Sequence, residues 1–204
     1  MTDSNTLLLE RWQLTEQELT VIVDENPSLR GMMIGYIAEY KLRALLMADK
    51  NVTSLHKPDD HDRQKGNKND IILVYKGHSF TFEVKSLQTN SIKYHPLDDT
   101  FTGSVQVDAS DRRTVTLPDG SKLETTCLLA GGFDVVAFNL FQFHEKWNFA
   151  FALNRDLPRS THKKYTEYQR QHLLATSVKV TWPIDKPLVA NPFDLLDILI
   201  EEKE

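Results

Sequence analysis

The chain has 204 residues, 24 Lys or Arg against 29 Asp or Glu, and a formal net charge of −5. Hydrophobic residues make up 40 % and charged residues 26 %, the composition of a globular protein and not of a disordered or fibrous one. The acidic total argues against coating nucleic acid through bulk charge but leaves room for local basic segments. No run approaches the ~18 apolar residues of a membrane span. The start, Met1-Thr2-Asp3-Ser4, lacks the cationic and apolar parts of a signal peptide. The single cysteine, Cys127, excludes an internal disulfide and is expected to be a packing residue. A cytoplasmic protein of one domain is the expectation.

Taken in chain order, Thr15-Glu16-Gln17-Glu18 has the pattern of a capping box and predicts a first helix. A second helix is predicted from a Ser28 cap to about Met47, because Ile34, Ile37, Ala38, Leu42 and Leu45 share one helical stripe. Glu39 sits beside that stripe. Residues 57–69 are polar and carry Pro, Gly and Asn, the composition of a loop. Residues 70–75 and 78–85 predict two strands. In the second, Phe80, Phe82 and Val84 face one side and Thr81, Glu83 and Lys85 the other. A further hairpin is predicted over 114–126 around Pro118-Asp119-Gly120. The apolar run 132–141 predicts a strand buried on both faces, paired with 147–153 across residues 143–146. Thr161 is the expected cap of a helix reaching Leu174, 178–182 a short strand, and Asn191-Pro192 the start of a last helix. These elements predict an α/β chain with a central mixed sheet flanked by helices.

The hairpin register brings charged groups together. If Lys76-Gly77 is a two-residue turn, Asp70 opposes Glu83, and directly opposed residues project to one face with Cβ atoms about 5 Å apart. Lys85, two residues on, shares the face. A one-residue slip would separate the three. Two close carboxylates are hard oxygen donors suited to Mg²⁺, and a metal there lowers the pKa of bound water and stabilises phosphate charge. A lysine beside them can orient or deprotonate attacking water, or hold phosphate. The Val84 carbonyl is a further candidate ligand.

Asp70, twelve residues and then Glu83-Val84-Lys85, behind a Glu39-bearing helix, resembles the PD-(D/E)XK nuclease superfamily, the restriction-endonuclease-like fold. The resemblance spans about residues 31–153 and is most like a type II restriction endonuclease. It implies an Mg²⁺-dependent DNA endonuclease, with Mn²⁺ as a substitute. Asp70, Glu83, the Val84 carbonyl and Glu39 would be metal ligands, and Lys85 the catalytic lysine. Gln88 would extend the catalytic face, although Ile92 stands where the exonuclease branch has tyrosine. It further implies double-stranded DNA as partner, a homodimer, and a possible cognate methyltransferase. Pro58-Asp59 is the alternative source of the first carboxylate. Glu39 could instead pair with Arg43 one helical turn on. The alternatives in function are a repair, transposition or phage-defence nuclease that cuts by structure, and a non-catalytic DNA-binding protein on the same fold.

Several cations are candidates for DNA contact. Arg112 and Arg113 precede the Pro-Asp-Gly turn. Residues 155–186 carry seven Lys or Arg against three Asp or Glu, and Lys163, Lys164 and Arg170, interleaved with Tyr165 and Tyr168, form a candidate DNA-facing helix. His56, Asp59, Asp60, His61 and Asp62 match no structural zinc spacing. Lys57, Arg63, Lys65 and Lys68 flank them near the expected path of substrate.

Overall fold

The computed structural model describes residues 6–58 and 69–203. Asp59 and most of the polar loop, with Arg63, Lys65 and Lys68, lie outside the described residues. The chain divides into two compact units, Met1–Ile37 and Ala38–Glu204.

The first unit is helical. It holds α1 (Leu8–Trp12), α2 (Glu16–Glu25) and the opening of α3 (Pro27–Met47). The capping box forms as the sequence predicts: Glu18 N donates to Thr15 Oγ1 at 3.1 Å, and the Glu18 carboxylate accepts from Thr15 N at 2.8 Å. Helix α3 begins one residue ahead of the expected Ser28 cap. Pro27 takes its first position, where a fixed φ and a missing N–H cost nothing.

The second unit is built on a five-stranded mixed sheet, in the order β1 (Val52–His56), β2 (Ile71–Tyr75), β3 (His78–Ser86), β8 (Val135–Asn139), β9 (Phe149–Leu153). Strands β3 and β8 are parallel and the other pairs antiparallel. Every residue of β8 and β9 is buried, as their apolar runs predict. Lys76 at φ 48° and Gly77 at φ 80° make the two-residue turn between β2 and β3. Positive φ at both positions is the turn whose twist matches paired strands. Ile71 therefore opposes Phe82 and Tyr75 opposes His78, the expected register.

One face of this sheet, with Ile71, Leu73, Phe80, Phe82 and Val84, packs against Ala38, Leu42 and Leu46 of α3 and Leu195 and Leu196 of α6 (Pro192–Glu201). Asn191 Oδ1 caps α6 by accepting from Phe193 N at 3.2 Å. The other face, with Val136, Phe138, Ala150 and Ala152, packs against Val105 and Val180 of a three-stranded sheet. That sheet has the order β10 (Ser177–Trp182), β5 (Thr100–Gln106), β4 (Lys93–His95). Helices thus flank one face and strands the other. A separate ribbon pairs β6 (Asp108–Thr116) with β7 (Lys122–Cys127).

Three local expectations need correction. Residues 143–146 are not a bare turn, because α4 (Phe141–His144) forms there with Asn139 Oδ1 accepting from Phe141 N at 3.0 Å. The helix expected from Thr161 is α5 (Glu167–His172). Thr166 and Gln169 form a reciprocal capping box that starts it five residues later. Strands β1, β4 and β5 lie outside the sequence expectation: β1 and β4 are short and lack apolar alternation, and in β5 Gly103 interrupts the alternation of Phe101 and Val105. Among the described residues, no helix is long and apolar enough to cross a membrane.

Candidate active site

The site grows out of the β2–β3 hairpin. Asp70 sits just before β2, where its main-chain N–H donates to Phe82 O at 3.1 Å. Its side chain turns back onto the partner strand, and Oδ2 accepts from Val84 N at 2.7 Å. Glu83 lies on β3, 8 % exposed. Lys85 Nζ is 2.8 Å from Glu83 Oε1, so residues two apart on one strand face form an ion pair with both side chains largely covered.

The carboxylates repel each other. Asp70 is pushed up to about 6, first by burial and then by the Glu83 charge; the Val84 N–H, Lys85 and Lys57 pull the other way. The proximity that the hairpin register predicts is therefore felt electrostatically. Glu39, on α3, is bound at 2.6 Å by Lys57 Nζ. It does not use Arg43, whose guanidinium lies 5.9 Å from the Tyr40 ring and whose Nε lacks a hydrogen-bond partner among the described residues. Lys57, expected from the sequence only as a cation flanking the polar loop, gains a specific partner in Glu39. It follows β1 directly and links Glu39 to the field at Asp70. Its signal was position, a lysine at the rim between a strand and the acidic loop.

No protein-family model and no curated protein matches the chain. Among solved structures it is similar to a bacterial homing endonuclease, I-Ssp6803I, at 18 % identity and a TM-score of 0.34, over 68 % of this chain and 85 % of that one. At that TM-score the likeness adds no argument to the geometry.

The donor chemistry fits a hard divalent cation. Asp70 and Glu83 are oxygen donors whose mutual repulsion a cation would relieve. Among the described residues no three His, Cys, Asp or Glu side chains gather as a metal-binding group. An ion here would complete its shell from main-chain oxygen, water and phosphate, the habit of Mg²⁺.

The remaining expected residues separate. Gln88 turns to the second sheet, its N–H donating to Ser104 O at 3.0 Å and its Nε2 to Gln106 Oε1 at 2.8 Å. Arg112 is exposed and Arg113 half-buried on β6, where the ladder with β7 is irregular between Asp108 and Arg113. Lys163 and Lys164 are exposed, but in the turn ahead of α5 and not on a helix. Tyr165 points inward: it is buried against Cys127 and Leu173, and its hydroxyl bonds Thr125 Oγ1 at 2.6 Å. Arg170 Nη1 donates to Tyr165 O at 2.8 Å, so its guanidinium serves that turn. The buried phenol overrides the sequence pattern and takes Tyr165 out of the expected DNA-facing array.

Proposed function

We propose that the chain is an Mg²⁺-dependent endonuclease that hydrolyses DNA phosphodiester bonds. In its most specific form it is a cytoplasmic type II restriction enzyme, a homodimer working beside a cognate methyltransferase. The observation that carries this reading is the Asp70–Glu83 pair with Lys85 held 2.8 Å from Glu83 on one strand face. Asp70, Glu83 and the Val84 carbonyl would hold the ion, with Glu39 at the margin and Mn²⁺ able to substitute. When bound, the ion would supply Lewis acidity and a more acidic water.

The protein's own groups do the rest. The Val84 N–H fixes the Asp70 carboxylate against the hairpin. Burial keeps competing water from Glu83. Lys85 presents N–H donors beside the carboxylates, placed to take a phosphate oxygen or orient an attacking water. Lys57 restrains Glu39 and offsets part of the negative field at Asp70. Arg112, Lys163 and Lys164 are exposed cations available to the backbone phosphates of a duplex.

The test is cleavage of duplex DNA with Mg²⁺ by the wild-type chain beside Asp70→Ala and Lys85→Ala. Discrete fragments are expected from the wild type, with a loss of about 10²-fold or more in each variant. Smeared products would replace the sequence-specific form of the reading with a structure-directed one. Equal cleavage by all three proteins would overturn the site, and cleavage by none would overturn the nuclease.

A further inference from the structure

We propose that a cleft beside β10, the outer strand of the three-stranded sheet, binds a single nucleotide whose base carries an exocyclic amino group. The cleft has a volume of about 310 Å³. That is the small end of the ~300–1,000 Å³ of ligand sites, enough for one nucleotide and not for two. Its floor is apolar, because Leu157, Val178 and Leu188 are buried there. Such a floor takes the flat face of a base without leaving a polar group unpaired.

The mouth carries both signs of charge. Lys179 and Lys186 line it, and neither makes a hydrogen bond or ion pair among the described residues. Both belong to the cation-rich stretch 155–186. Asp156 and Asp185 line the same cleft, yet pair with neither lysine. Asp185 Oδ1 accepts from Thr181 Oγ1 at 2.7 Å, which fixes that carboxylate at the wall. Opposite charges held apart in one cleft fit a ligand with a phosphate at one end and N–H donors at the other. Ammonium groups take the phosphate, and a carboxylate accepts from a base amino group, as it does from N4 of cytosine. A bare phosphate would leave the floor and the carboxylates unused, and an uncharged amine would leave the lysines unpaired.

The sheet register places the cleft near the candidate active site. Val178 opposes Val105 on β5, and Val105 bridges Leu87 on its other side. Two strand spacings, about 10 Å in all, thus separate β10 from Leu87, two residues beyond Lys85. The occupant is a free nucleotide or one extruded from a strand held at that site. Only the second source rests on the nuclease reading.

The experiment is calorimetric titration of the full chain, without metal, with deoxycytidine monophosphate, thymidine monophosphate and inorganic phosphate. The cytidine nucleotide should bind with a Kd below about 1 mM. The other two should bind about tenfold more weakly or worse, since thymine has a carbonyl in place of the amino group. Lys179→Gln and Lys186→Gln should each weaken the cytidine nucleotide about fivefold or more, and Asp156→Asn should narrow the gap to thymidine. In a second arm, a metal-free duplex with one 2-aminopurine should brighten on adding the wild type, and less with Lys179→Gln, if the occupant comes from a strand. Hydrogen exchange on the wild type needs no substitution, and residues 178–188 should gain protection with whichever of the two ligands engages. Engagement of neither the nucleotide nor the duplex would overturn the proposal. So would binding indifferent to both lysines, or equal binding of all three small ligands. The first arm uses neither duplex nor cleavage, so it can fail while the nuclease reading stands, and the reverse.

Discussion

Asp70 is poised between its neighbours. Its N–H and Oδ2 tie it to β3 as a structural cap would, while burial and the Glu83 charge make its ionised form expensive. An acid held at about 6 when folded, against 3.8 as its ordinary value, binds its proton more tightly folded than unfolded. Its contribution to stability is therefore present below pH 3.8 and is lost as pH rises through about 6. The loss should be on the order of 3 kcal/mol in the metal-free protein. In thermal melts without divalent ions, Asp70→Asn should flatten this part of the pH profile, and an unchanged profile would count against the site's electrostatics. Mg²⁺ should raise the wild-type Tm above pH 6 and do little where Asp70 keeps its proton, because only the carboxylate binds the ion.

The β2–β3 hairpin turns a local rule into a site. Lys76 and Gly77 both take positive φ. A Cβ at Gly77 would meet nothing within 4 Å, so Gly77→Ala should cost about 1–2 kcal/mol from backbone strain alone. Urea unfolding would read this as a lower midpoint at an unchanged slope. Lys76 also binds Asp197 of α6 at 2.7 Å. The pair is solvent-exposed, so Lys76→Ala should leave the urea midpoint nearly unchanged.

Where local chemistry decides the structure, the sequence was readable. The Lys76-Gly77 turn sets the register as far as Ile71 and Phe82, which leaves Asp70 within the field of Glu83, and alternation puts Lys85 beside Glu83. Capping chemistry likewise marked α2 and α6. What escaped was long-range. Nothing local to Gln88 says that β5 will claim it, or that Tyr165 will be drawn inward to Thr125 and take Arg170 with it. Lys57 could be matched to Glu39 only once α3 was packed beside the end of β1.

At the scale of the Ala38–Glu204 unit, two apolar clusters share one sheet. The α3 and α6 side holds Phe80, Phe82 and Phe151, and the other side holds Phe138, Phe143 and Val180. Gly103 on β5 lies close against the side chains of Leu87 and Phe143. A Cβ there would lie 2.8 Å from the Leu87 side chain and 3.2 Å from the Phe143 ring. Gly103→Val should therefore lower stability by about 1–3 kcal/mol through overpacking, visible as a drop in Tm. Gly131→Val would lack that clash, since nothing lies within 4 Å of its Cβ position, but it carries φ +77° and would be strained for a different reason.

The parallel pairing of β3 with β8 has a consequence in time. The strands that carry Asp70, Glu83 and Lys85 are joined by a two-residue turn and can zip at once. The strand that pairs with β3 beside Glu83 begins only at Val135, after β4 to β7 have been traversed. Pairings distant along the chain form late, because loop closure must be met before contacts reward it. Folding therefore assembles the charged face while it is still hydrated and encloses it afterwards.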